Sequence, residues 1–199
     1  MNHTAPRRCR GAAFALALCS LLALDARATP TTRAPLLRSG LSSPLPGGFV
    51  KGYLADTGLD IAGFHLPVFA IAAGTVEYAE PGHTLWTDRG DDPNCVRVRL
   101  DAPITWQSRR ITHVWYAHMK SLAFVQPEGA RARRHVEAGE LLGVSGIANR
   151  APHLHLGLLL DGDVSQRWGS FLDADQIRAL LGDYRNGEHL PGLPTVPAS

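Results

Sequence analysis

Cysteine, lysine and long apolar runs are all scarce in this 199-residue chain, and each scarcity excludes something. There are three cysteines, Cys9, Cys19 and Cys95, and the first two fall in a segment that reads as removable. Cys95 then stands alone, so no disulfide forms within the mature chain and a buried core must hold the fold. The lysines are Lys51 and Lys120, neither at a hairpin tip suited to a tethered cofactor, which argues against a lipoyl- or biotinyl-carrier domain. A formal charge of +2 is near balance and owes much to the N-terminus, so nothing points to a nucleic-acid partner. No apolar run reaches the length of a membrane span.

What is present begins with a leader. "MNHTAPRRCR" is basic, "GAAFALALCSLLAL" is apolar over 14 residues, and Ala26-Arg27-Ala28 is a small-x-small cleavage site. That order predicts a secretory signal peptide over 1–28. Leu18 is a poor residue to precede a lipidated cysteine, so export without a membrane anchor is expected. Residues 29–47 are rich in Pro, Ser, Thr and Gly and read as an extended lead-in, and 190–199 as a flexible tail.

Between them, over 48–189, the pattern is that of strands. "NCVRVRLD" alternates with Val96, Val98 and Leu100 on one face, and "RITHVWYAHM" and "PHLHLGLLLD" continue the series. One helix is predicted over about 173–181, with Asp173 as N-cap, Gln176 three residues on and Gly182 as the stop. Small β-barrels and sandwich-like carrier folds are built from similar Gly-punctuated strands, so the pattern by itself names no chemistry.

Two clusters carry chemistry. "DTGLD" holds Asp56 and Asp60 on a Gly-containing turn ahead of "LPVFAIA", either as a solvated turn or as half of a metal site. In "APHLHLGLLLD", His153 and His155 share a strand face about 6.6–7 Å apart, with Leu154, Leu156, Leu158 and Leu160 on the other. Those imidazoles either face a groove or sit on a solvated surface. Alternation in "THVWYAHM" puts His118 on the face of Tyr116, with His113 and Trp115 opposite. His65, His83, His135 and His189 read as surface residues, and Cys95, alternating with Arg97 and Arg99, as exposed on a basic face. A catalytic zinc takes three N or O ligands and keeps one open position, and Asp60 and His155 suit such a set.

In order, "DTGLD", "LPVFAIAAGTV", "YAH", "VEAGELLGVSG" and "HLH" resemble the motifs of the M23 peptidases, the lysostaphin/LytM-type zinc endopeptidases that cut peptidoglycan cross-links. The match covers about residues 50–160. The resemblance implies a mainly β fold, an antiparallel sheet of the LytM (hybrid-barrel-like) type forming a groove floor, with a small C-terminal helix. It assigns Asp60 and His155 as metal ligands and His118 and His153 as the catalytic histidines beside the substrate. It sets Tyr116 in the strand leading to His118 as a substrate contact. It implies an exported metalloendopeptidase of the bacterial periplasm or extracellular space, hydrolysing peptidoglycan peptides with a metal-activated water.

The chain departs from the pattern at Asp56, where the family has its first histidine ligand. An insert, "QPEGARARRH", is expected in a loop beside the groove, and "ANRA" replaces a Thr-Gly-containing turn. With Asp56, Asp60 and His155 as ligands, two carboxylates cancel the charge of Zn²⁺, and the harder donor set shifts preference toward Mn²⁺ or another divalent ion. The alternative implied by Asp56 is a catalytically degenerate LytM-like domain that binds cell wall or activates a cell-wall amidase.

Overall fold

The computed structural model describes residues 32–52, 56–84 and 88–195; the leader over 1–28 lies outside them. The alternating segments form nine strands: β1 (Phe49–Lys51), β2 (Leu59–Ala62), β3 (Pro67–Phe69), β4 (Gly74–Pro81), β5 (Asn94–Trp106), β6 (Arg109–Leu122), β7 (His135–Val136), β8 (Leu141–Ala148) and β9 (Ala151–Leu160). All pair antiparallel in one sheet with the order β1-β2-β9-β8-β6-β5-β4-β7, β3 lying on β8 and β9 also pairing β6. Its ends, β1 and β7, do not meet, so the sheet stays open. Among the described residues the fold is mainly β, with one small helix.

The period of two explains which face is buried. On β9 the even residues Leu154, Leu156, Leu158 and Leu160 all lie in the core, each burial contributing about 1.5–3 kcal/mol. Their partners on β6, Val114 and Tyr116, and on β2, Leu59 and Ile61, share that face. The helix α1 (Ala174–Leu181) closes the core with Ala174, Ile177 and Leu181. It starts at a reciprocal capping box: Gln176 N–H donates to Asp173 Oδ1 at 2.9 Å, and Asp173 N–H to Gln176 Oε1 at 3.1 Å. Gly182, at φ +118°, ends it.

The lead-in belongs to the folded body. Its described part, 32–47, runs through turns, with Leu36 bridging Ser42, and Leu37 and Leu45 are buried in the core. Ser42 N–H donates to Ile71 O at 3.0 Å, and Phe69 N–H to Pro44 O at 3.0 Å. The first residue of the expected tail, Leu190, is likewise buried and donates to Gly48 O at 2.8 Å. Proline and serine had marked these stretches as loose; the leucines among them find apolar partners. Among the described residues no helix is long and apolar enough to cross a membrane.

Candidate metal centre

The odd residues of β9 turn away from the core, so His153, His155 and Gly157 face the open side of the sheet. Antiparallel register sets Asp60 opposite His155 and Ala62 opposite His153 across β2, and Trp115 opposite Gly157 and Ala117 opposite His155 across β6. Directly opposed residues share a face. Asp60 and His155 are therefore brought together by strand pairing alone.

Asp56 reaches the same point from the turn before β2. Gly58 lets that turn lie flat on β9: a Cβ there would meet Leu156 O at 2.5 Å and His155 Nε2 at 2.7 Å. One donor atom each from Asp56, Asp60 and His155 lie within 4.8 Å of one another. His155 Nδ1 is 3.0 Å from Asp60 Oδ1 and 3.9 Å from Asp56 Oδ2. Ligands at 2.0–2.2 Å from a tetrahedral ion stand about 3.3–3.6 Å apart, a spacing these two distances bracket. The donor set is also chemically apt, with two oxygens and one imidazole nitrogen, so the residues present fit a divalent cation.

Two more histidines complete the pocket. His153 Nδ1–H donates to Ala151 O at 2.9 Å, since a carbonyl can only accept, and its Nε2 lies 3.7 Å from Asp60 Oδ1. The His118 ring lies edge-on to those of His153 and His155, with centroids 5.1 and 5.9 Å away. His118 Nδ1 is buried with no hydrogen-bond partner among the described residues. A cavity of about 190 Å³ is lined by Asp56, Asp60, His118, His153 and His155 together with Thr57, Thr84, Trp115 and Asn149.

The electrostatics separate the two carboxylates. Burial pushes Asp60 up, but the hydrogen bond and charge of His155, with His153 and His118 behind it, hold it below its ordinary value. Asp56 is raised, because burial outweighs the attraction of His155 and Asp60 adds like-charge repulsion. His118 is pushed down to about 4, first by burial and then by the neighbouring His155 and His153, so it is neutral near pH 7.

Several sequence expectations are corrected. Tyr116 does not line the pocket: it is fully buried in the core, and its hydroxyl accepts from Ile71 N–H at 2.9 Å. The reason is a β-bulge. Asn94 pairs Met119 and Val96 pairs Tyr116, so Ala117 and His118 together oppose Cys95. His118, at φ +59°, takes a left-handed conformation, and simple alternation fails there. Trp115, expected on the far side, lies in the pocket 5.4 Å from the His155 ring. Cys95 does share the face of Arg97, but Tyr78, Trp115 and Ala117 cover it, and burial pushes its thiol up to about 12. The insert at 126–135 runs along β4 instead: Gln126 bridges Ala79, Glu128 accepts from Arg97 at 2.9 Å, and none of its residues lines the pocket. Thr57 and Asn149 lie within the quoted "DTGLD" and "ANRA" stretches but are not among the sequence-predicted site residues.

No family model and no curated protein matches the chain. Among solved structures it is similar in fold to the antimicrobial peptidase lysostaphin from Staphylococcus simulans, at 19% identity over 77% of this chain and 55% of that one, with a TM-score of 0.46. It is similar to a mutant catalytic domain of the prophage-encoded M23 protein EnpA from Enterococcus faecalis, at 20% identity over 71% and 95%, TM-score 0.43. A zinc-containing peptidase from Vibrio cholerae aligns at 13% identity over 72% and 39%, TM-score 0.41. The chain spans about half the length of the lysostaphin chain it matches.

Proposed function

We propose that this chain is an exported metalloendopeptidase of the M23 type that hydrolyses peptide bonds in peptidoglycan. One observation carries the reading: Asp56, Asp60 and His155 converge on one point, with His118 and His153 beside it in the same pocket. The order of the five motifs supports the family and the substrate class, and the basic-apolar-small leader supports export to the periplasm or beyond.

Asp56, Asp60 and His155 would hold a divalent cation, Zn²⁺ or Mn²⁺, which when bound supplies Lewis acidity to a water and to a scissile carbonyl. The chain's own residues do the rest. His153, fixed as the Nδ1–H tautomer by Ala151 O, offers Nε2 to take the proton of the attacking water and return it to the leaving amine. His118, neutral at working pH, donates a ring N–H to the carbonyl oxygen as charge builds there. Trp115 walls the pocket beside the His155 ring and limits access of bulk water.

A second reading has its own observation. Asp56 stands where the family has an imidazole, and burial raises its carboxyl above the ordinary value, which weakens it as a ligand. That favours a LytM-like domain that binds cell wall or activates an amidase without turnover. Metal analysis of the purified protein, paired with peptidoglycan digestion by wild type and His155→Ala, separates the two. The peptidase reading expects a bound divalent ion and chelator-sensitive peptide release that vanishes in His155→Ala. Absence of both metal and release, with Zn²⁺ and Mn²⁺ each supplied, overturns the peptidase reading and favours the second.

A further inference from the structure

Thr57 sits between the two aspartates, and its main chain and side chain touch different members of the cluster. Its N–H donates to Asp56 Oδ1 at 2.7 Å, which leaves Oδ2 turned toward His155. Its Oγ1 lies 3.4 Å from His155 Nε2, the ring nitrogen on the far side from Asp60. Gly58 allows the turn to approach this ring closely, since a Cβ at Gly58 would stand 2.7 Å from His155 Nε2. His155 is 5% exposed, so a hydrogen on Nε2 has little access to solvent.

We propose that Thr57 is the positioning residue of this centre: its hydroxyl holds the His155 ring and pairs Nε2 in either tautomer, so that Nδ1 can serve as a ligand. The proposal rests on the metal-centre reading above. A hydroxyl both donates and accepts, and this position uses both abilities. Without a cation, Nδ1–H donates to Asp60 Oδ1 and the Thr57 hydroxyl donates to Nε2. Were Nδ1 to bind a cation, the neutral ring would change tautomer, giving up the Nδ1 proton to solvent and taking one from solvent on Nε2, and Thr57 Oγ1 would accept that Nε2–H. Neither state then leaves a buried ring nitrogen unpaired. Because the grip on Asp56 comes from the backbone N–H, a side-chain change at 57 isolates the hydroxyl.

The test is the dissociation constant for Zn²⁺ and for Mn²⁺, measured by chelator competition on wild type, Thr57→Val, Thr57→Ala and Thr57→Ser. Thermal unfolding of each metal-free protein serves as the control for folding. Loss of an outer hydrogen bond to a ligating histidine lowers metal affinity about 10–100-fold, so that loss is expected for Val and Ala, with Ser restoring affinity. Two non-hydroxyl replacements keep the test open if one of them fails to fold. Wild-type affinity in folded Thr57→Val or Thr57→Ala overturns the role of Thr57 and leaves the metal centre standing. A wild-type protein that binds neither ion overturns the metal centre itself, and this proposal with it.

Discussion

Asp60 and His155 are register partners across β2 and β9, and their Oδ1 and Nδ1 atoms lie 3.0 Å apart. The pair is thus placed by strand registration, the most rigid device a sheet has. Slipping β2 by one residue would send Asp60 into the core and Leu59 or Ile61 into the pocket, a loss of buried apolar area that fixes the register. Asp56 has no such support, being carried by a turn.

That difference sets the first prediction. Asp56→Ala lowers the metal content of the purified protein, and Asp56→His preserves or raises zinc affinity by replacing a carboxylate with a neutral imidazole at the same point. Elemental analysis after exhaustive dialysis reads both. Undiminished metal in Asp56→Ala shows that Asp56 is not a ligand.

A second prediction concerns the left-handed backbone at His118, φ +59°. Holding a non-glycine residue there costs about 1–2 kcal/mol, which glycine avoids at some entropic cost in the unfolded chain. His118→Gly is therefore expected to be more stable than His118→Ala by about 0.5–1 kcal/mol, although both lose peptide release. Urea unfolding curves of the two variants give the comparison directly, and equal stabilities contradict the strain.

Gly58 makes a third. Gly58→Ala drives a methyl against Leu156 O and His155 Nε2, one of them backbone that cannot swing aside. Crowding of this kind costs about 1–3 kcal/mol, and here it also pushes the turn off β9, so a lowered Tm should come with weaker metal binding. A variant with unchanged Tm and affinity would show that the turn has room to give.

The pH dependence of the metal-free protein is the fourth. His113 and His118 are both held below the ordinary histidine value, chiefly by burial, with Glu77 pulling the other way at His113 and Asp60 at His118. As pH falls past about 6.5 the unfolded chain takes up protons that these folded histidines refuse, so stability declines. For His118 the decline runs from about 6.5 to about 4, and the stability is fully present above that window. Melting temperatures between pH 7.5 and 4.5 should therefore drop. His118→Asn and His113→Asn should each flatten the slope, and a flat wild-type profile would rule the assignment out.

How much of this was legible beforehand depended on how regular the backbone is. His153, His155 and the four leucines between and beyond them follow strict alternation, and the helix carries its caps in its own residues; both could be read directly. Tyr116 and Trp115 exchanged places because a bulge inserts one residue between Tyr116 and Met119, and neither Ala117 nor His118 signals a bulge as a glycine would. Cys95 was set on the right face but at the wrong exposure, since Tyr78 and Trp115 cover it from other strands. Thr57 is an ordinary turn residue by type; its contact with His155 spans 98 positions and exists only in the folded chain.

The buried lead-in gives the domain two different extents. The candidate ligands span residues 56 through 155, while the packed core begins no later than Leu37 and ends no earlier than Leu190, with Arg38 bonded to Glu188 between the two ends. Trimming to residues 50–160 would spare every candidate ligand but remove Leu45 and helix α1, which share the core of Ile61 on β2, so weaker metal binding and a lower Tm are expected of such a fragment.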